Sequence, residues 1–246
     1  MKFILNADDF GRTATTNEAI TYGFVNGYLS RTTIMVNMPY YEEAKQLALQ
    51  NEFYDKVGLH INLTSGVPLT EAIRKSRLFT DENGRFNGLI FKKKYKWHLK
   101  KAEKKAVEQE IEAQINRYLN DGFILKHADS HGHVHTFPVI NKIVLRLLNK
   151  YEFKSVRISR NIELGWLKKL YKKFLNIRNK KFNAKNGARI DYFGSCKEVM
   201  NNFDKINGSG EIMLHPNSYY GDMWVEEDVT YKSIYEFIQN HGGAIL

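Results

Sequence analysis

Short apolar runs alternate along this chain with stretches whose apolar residues recur every three or four positions. Phe3–Ala7 reads as a strand, and Thr16–Asn26 as a helix that stops at Asn26-Gly27. Thr32–Asn37, rich in β-branched residues, is strand-like; Tyr41–Gln50 is helical; Val57–Leu63 is the next strand. Residues 66–96 are irregular, with a turn at Asp81-Glu82-Asn83-Gly84. Val107, Ile111, Ile115, Tyr118 and Leu119 mark a long helix over Ala102–Leu119, closed by Gly122. Leu125–Ala128 reads as a strand, Pro138–Asn149 as a helix with its proline in the first turn, and Ser155–Ser159 as a strand. Leu164–Lys181 is a basic helical stretch, Ile190–Phe193 and Ile212–Leu214 are further strands, and Val229–Asn240 is the last helix. Strand–helix alternation implies a parallel sheet in an α/β fold, either a closed (β/α) barrel or an open sheet.

The bulk numbers narrow the class. With 246 residues, 43% of them hydrophobic and only four prolines, the chain suits one large domain without a disordered linker. Its single cysteine, Cys196, excludes an internal disulfide framework and a zinc site built from four cysteines, and fits a reducing compartment. No run reaches the length of a membrane span, and the N-terminus lacks a signal peptide's apolar core, so a soluble, cytoplasmic protein is expected. The net charge of +10 is uneven: lysines crowd residues 91–105 and 168–189. Tyr171, Phe174, Leu175 and Ile177 lie between the second set, as in a surface helix that contacts an anionic membrane or glycolipid. Nucleic acid is not expected as a partner, and nothing in the pattern speaks to oligomeric state.

The chemistry gathers where strands end. The first strand stops on Asp8-Asp9-Phe10-Gly11, and two adjacent carboxylates are best tolerated beside a cation. In extended chain Asp8 and Asp9 would point to opposite sides, one towards a metal and one towards substrate or water. His60 lies in a strand with Asn62 on its face; a lone histidine there is more often structural, but its company argues for a ligand. His127, Asp129, His131, His133 and His135 alternate, and in extended chain all would face one way. One aspartate and two histidines make a facial N,N,O set for a divalent metal with open positions. His215, between the strand Ile212-Met213-Leu214 and Pro216, is a candidate general acid. No G-x-S-x-G, P-loop or strand-linked G-x-G-x-x-G is present.

Three segments, taken in order, resemble the signature motifs of the YdjC-like carbohydrate deacetylases, a family that includes chitooligosaccharide deacetylases. They are Asn6-Ala7-Asp8-Asp9-Phe10-Gly11, Val57-Gly58-Leu59-His60-Ile61-Asn62-Leu63-Thr64, and His127 to Pro138. The resemblance runs from the first strand to His215-Pro216; the loop at 66–96 and the basic segment at 164–189 fall outside it. It implies one domain over residues 1–246, a distorted (β/α) barrel with a basic helical insertion at about 164–189. It also implies metal-dependent hydrolysis of the N-acetyl group of a sugar in an oligosaccharide or glycan precursor. Asp9, His60 and His131 would hold the metal, magnesium or zinc first, with cobalt, manganese or iron also accepted by such a set. Asp8 would be the base and His215 the acid. Gly132, where relatives often carry another histidine, and Asn217, where glycine is common, bear on which sugar is taken. Two other readings stay open: a metal-dependent phosphoesterase on a similar barrel, with the basic patches serving phosphate, and a non-catalytic glycan-binding protein on this scaffold. Tyr219, Tyr220 and Trp224 are candidates to stack on a sugar ring.

Overall fold

In a computed structural model, which describes residues 1–92, 95, 97–162, 166–219, 222–226 and 228–246, the chain forms a curled, largely parallel sheet with helices outside it. Its elements are β1 (Lys2–Phe10), α1 (Ala14–Val25), β2 (Arg31–Ile34), α2 (Tyr41–Gln50), β3 (Val57–Ile61), α3 (Glu71–Arg74), α4 (Lys101–Asn120) and β4 (His127–Ser130). There follow α5 (Pro138–Lys150), β5 (Ser155–Val156), α6 (Trp166–Lys185), β6 (Tyr192–Ser195), α7 (Cys196–Asn202), β7 (Ser209–Leu214) and β8 (Asn217–Tyr219). The last elements are β9 (Asp222–Glu226), β10 (Val229–Thr230), α8 (Tyr231–Asn240) and β11 (Ala244–Ile245). No helix among the described residues is long and apolar enough to cross a membrane.

The main sheet runs β5-β4-β3-β2-β1-β7-β6, all parallel, and β11 pairs with the start of β1. β1 is an interior strand buried on both faces, so its first half, Phe3–Leu5, reads as a continuous apolar run rather than an alternation, and its buried polar residues Asn6, Asp8 and Asp9 all need partners. One core joins Phe3 and Leu5 on β1 to Ile111 and Ile115 on α4, Val144 and Leu148 on α5, and Ile234 and Ile238 on α8. The curl stops short of a closed ladder. Between β5 and β6 the gap is spanned by Asn161: its backbone N–H donates to Phe193 O (3.1 Å), its Nδ2 to Asp191 O (2.8 Å), and its Oδ1 accepts from Phe193 N (2.8 Å). This is the parallel α/β sheet that the alternation predicts, curled into the distorted (β/α) barrel that the family resemblance implies.

The strand β5 covers only two residues, and its outer edge is sealed by side chains of α6 rather than by another strand. Asn183 accepts from Val156 N and donates to Val156 O, each at 2.8 Å. Asn179 donates to Arg157 O (2.9 Å), and Asn176 accepts from Ser159 N (2.6 Å) and donates to Ser159 O (3.0 Å). Three buried asparagines thus stand in for a neighbouring strand, whose backbone groups would otherwise be left unpaired. The basic insertion is therefore fastened by polar groups. Its first two positions, Leu164 and Gly165, lie outside the described residues, as do Lys93, Lys94 and Lys96 of the first lysine-rich segment.

Several expectations shift. The strand read at Leu125–Ala128 begins at His127 instead, because Leu125 O and Val57 O are both bonded by the Tyr118 hydroxyl, which closes the turn before it. The helix α7 was not expected, although Ser195 and Glu198 form a capping box at its start. The antiparallel β8–β9–β10 sheet was also not expected; it continues from β7 across the mouth of the barrel. Cys196 is buried, and burial pushes its thiol well above the ordinary range, in keeping with a packing residue.

Asn183→Ala should strip both partners from Val156 and lower unfolding stability by about 2–4 kcal/mol, since each buried backbone group left unpaired costs about 1–3 kcal/mol. Urea unfolding measures it; a loss under about 0.5 kcal/mol, the scale of an ordinary surface change, would contradict the sealing role of α6.

Candidate metal centre and active site

Parallel strands bring their C-terminal ends to one side of a barrel, so residues far apart in sequence meet there. At this end β1 supplies Asp8 and Asp9, β3 supplies His60, β4 supplies Asp129, and the turn after β4 supplies His131. His60 and Asp129 are register partners on adjacent strands. The donor atoms of Asp9, His60 and His131 all lie within 4.8 Å of one another. Asp9 Oδ1 is 2.7 Å from His131 Nδ1 and 3.2 Å from His60 Nε2. The other ring nitrogen of His60 meets Asp129 Oδ1 at 2.6 Å, which orients the ring and leaves Nε2 towards Asp9.

Asp8 and Asp9 do not diverge as alternation predicts. Asp9 has φ +69°, a left-handed conformation rare for a side-chain-bearing residue, and the β1–β2 register slips between Ala7 and Phe10. The slip turns the second carboxylate back, so that both line one open cavity of about 730 Å3. Backbone strain of this sort is typical of a functional position. Arg12 Nη1 reaches the outer oxygen of Asp9 at 2.8 Å from the cavity side.

The alternating histidine run is also corrected. Extension ends at Ser130; Gly132 (φ +58°) and His133 (φ +56°) are left-handed, and His131–Thr136 coils into a 3-10 turn. Only His131 and Asp129 join the site. His135 is buried, held between the Ser130 hydroxyl (2.6 Å) and Arg157 O (3.0 Å), and burial lowers its pKa to about 4, so it stays neutral. His127 meets Ser155 Oγ at 2.7 Å between β4 and β5. His133 packs edge-on against Phe193. A Cβ on Gly132 would come within 2.4 Å of the Phe91 ring, so a side chain here would require Phe91 to move.

Behind the site is an ion cluster centred on Arg157, which is fully buried. Its Nη1 and Nη2 grip Asp8 in a two-pronged pair (2.6 and 2.7 Å), Nη2 also reaches Asp129 Oδ2 (2.8 Å), and Nε reaches Glu211 Oε1 (2.6 Å). Asn6 Nδ2 donates to Asp8 Oδ1 (2.8 Å). Arg31 Nη2 stands 2.9 Å from Glu211 Oε2, close but poorly aligned for a hydrogen bond. Burial works against the charge on Asp8, yet Arg157 overrides it and holds the carboxyl well below its ordinary 3.8. Burial likewise opposes ionisation of Asp9, and the hydrogen bonds from His131 and His60 outweigh it. Burial also disfavours protonated His60, but Asp129, Asp9 and Asp8 push its pKa up to about 10.

These facts decide whether a cation fits. Among the described residues, the buried carboxyl groups of Asp8, Asp9, Asp129 and Glu211 are faced by two buried guanidinium groups, Arg31 and Arg157, and by the half-exposed Arg12 at Asp9. The surplus of negative charge draws a proton onto His60, which is what such a surplus does when no stronger cation shares the site. The N,N,O set of Asp9, His60 and His131 opens onto the cavity and suits a divalent ion with open positions. The other groupings of acidic and histidine side chains among the described residues, Asp8–His60–Asp129 and His127–Asp129–Glu211, share members with the Arg157 cluster.

His215 follows β7, is exposed, and lines the same cavity with Asp8, Asp9, Arg12, Trp224 and Glu226. Tyr220 lies outside the described residues, and the structure does not describe the Tyr219 side chain; Trp224 reaches the cavity wall from β9. Sequence reasoning missed Arg157, Glu211 and Arg31. A signal existed for Arg157, between Val156 and Ile158, and for Glu211, beside the apolar run Ile212-Met213-Leu214, since a charge so placed is tolerated only when partnered; Arg31, between Ser30 and Thr32, carries none.

The sequence model of the YdjC-like protein family matches residues 2–234. A carbohydrate deacetylase of Vibrio cholerae serotype O1 is 39% identical over 153 residues, covering 61% of this chain and 56% of the relative. The chain thus aligns with little more than half the length of that relative. A carbohydrate deacetylase of Vibrio vulnificus is 36% identical over 222 residues, covering 88% of this chain and 78% of the relative. Among solved structures, a proposed cellobiose-phosphate cleavage protein of Enterococcus faecalis superposes with a TM-score of 0.73 at 22% identity, covering 100% of this chain and 96% of that one, and shares the fold.

Replacing Arg157 with methionine leaves Asp8, Asp129 and Glu211 without their shared cation and should cost about 3–5 kcal/mol of stability. Acid titration gives a second reading. The depressed Asp8 carboxyl stabilises the fold fully above its unfolded value and loses that contribution as pH falls towards its folded one. Between pH 4 and 2 the wild type should therefore lose stability more steeply than Asp8→Asn; parallel profiles would contradict the Asp8–Arg157 pairing.

Proposed function

The chain belongs to the YdjC-like family, and from that premise we propose that it is a metal-dependent hydrolase that removes the acetyl group from an N-acetylated sugar. The whole chain, residues 1–246, serves as its one deacetylase domain. The observation that carries this reading is the meeting of Asp9, His60 and His131 with Asp8 and His215 around one cavity. The reaction class comes from relatives named carbohydrate deacetylases.

Asp9, His60 and His131 would hold the divalent ion, magnesium or zinc by their donor set. When bound, such an ion polarises the amide carbonyl and acidifies a water molecule. Asp8 is the base. Arg157 keeps its carboxyl ionised and fixes its plane, so it is ready to accept the water's proton as the oxygen attacks the acetyl carbon. A new C–O bond forms, and the C–N bond breaks as His215 delivers a proton to the departing nitrogen. Acetate and a free amino sugar leave. Trp224 offers an aromatic face to the sugar ring, and Arg12 and Glu226 offer polar contacts to its hydroxyls. Asp129 acts through His60, holding the ring so that Nε2 points at the centre.

Acetate release from a panel of N-acetylated sugars, free and lipid-linked, tests the proposal. Metal-loaded protein should release acetate; Asp8→Asn should keep its metal but lose turnover by about 10²–10⁴-fold, the range for a general base. His131→Ala should lose metal and turnover together. Turnover retained in Asp8→Asn would remove Asp8 from the base role, and phosphate-ester hydrolysis in place of acetate release would overturn the deacetylase reading.

A further inference from the structure

The helix α6 is built inside out relative to an ordinary surface helix. Its inward face carries the polar ladder Asn176, Asn179 and Asn183, whereas Leu167, Leu170, Tyr171, Phe174 and Ile177 recur at helical spacing and face outward. Leu167 is 64% exposed, Leu170 56% and Phe174 57%, although an amphipathic helix normally turns such a stripe inward. Trp97, itself 49% exposed, sets its ring 6.3 Å from that of Tyr171 and widens the patch. Beside the patch a groove of about 440 Å3 has Trp97, Val139 and Phe174 on its walls and Lys104, Lys142 and Arg178 among its lining residues.

The charges on this helix have one sign. From Trp166 to Lys185 the chain has eight lysines and arginines and no acidic residue, and Lys173, Arg178, Lys180 and Lys181 are exposed. We propose that this face docks on the surface of an anionic lipid bilayer, its apolar stripe and Trp97 entering the headgroup region and its cations meeting lipid phosphates. Charge decides against the competing occupants. A second copy of the same helix would set its eight cations against eight more. A nucleic acid would satisfy the cations but leave the leucine and isoleucine stripe in water. A bilayer answers both needs at once, since long lysine side chains reach up to the phosphates while apolar groups sink below them.

The inference is independent of the deacetylase reading. Its test is flotation of the full chain with phosphatidylcholine vesicles and with vesicles containing phosphatidylglycerol. The wild type should float with the anionic vesicles alone, and rising salt should release it. Leu170→Ser with Phe174→Ser, and separately Lys173→Glu with Lys181→Glu, should each weaken binding on the order of tenfold or more. These side chains are exposed, so both double variants should keep the wild-type circular dichroism and thermal midpoint, which shows that any loss is of binding and not of folding. Equal binding to both vesicle types, no binding to either, or anionic binding unchanged in both double variants would overturn the proposal. So would sedimentation showing a dimer that Leu170→Ser with Phe174→Ser dissolves while vesicles are ignored.

Discussion

The buried guanidinium of Arg157 is the constraint around which the barrel mouth is arranged. It leaves the chain just after β5 and reaches carboxyl groups on β1, β4 and β7, so one side chain ties β4 to the β1–β7 pair, from which β3 and β2 separate it in the sheet. A buried charge is costly to desolvate, and the cost is met only because every arm finds a partner. Its consequences spread outward. It fixes the plane of Asp8, shares Asp129 with His60, and through its own backbone carbonyl is held by His135 and Asn179. The Asp9–His60–His131 face is thus braced from behind by Arg157 and Asp129, neither of which lines the cavity.

The inner and outer faces of the protein are linked by the same short stretch of chain. Residues 155–159 carry Arg157 inward, and their backbone groups are read from outside by three asparagines of α6. Because those asparagines, together with buried Phe182, fasten the helix, its apolar residues Leu167, Leu170, Tyr171, Phe174 and Ile177 can face solvent. The usual coupling between a helix's apolar stripe and the domain interior is broken here, which frees that stripe for an external surface.

Much of this was legible in the sequence, and the failures have physical causes. The parallel alternation and the strand-end positions of Asp8, Asp9, His60 and His215 follow from local periodicity and motif order, signals that span only a few residues. The reading of the histidine run failed because alternation presumes extended backbone, and Gly132 and His133 adopt left-handed conformations that end it. The Asp8–Asp9 divergence failed in the same way, at a strained Asp9 and a register slip. The burial of Arg157 between Val156 and Ile158 left a local signal, but its partner did not, because Asp8 is 149 positions away, beyond any local pattern. The amphipathic character of α6 was read correctly, but which face lies inward could not be, since that depends on a two-residue edge strand needing partners.

The most direct test of this account is anomalous diffraction from crystals of the metal-loaded protein, with data on both sides of the metal's absorption edge. The account predicts one strong peak bounded by Asp9, His60 and His131, open to the cavity on the side of Asp8 and His215, and absent in His131→Ala crystals. A peak elsewhere, or none in protein grown with excess zinc, would contradict it.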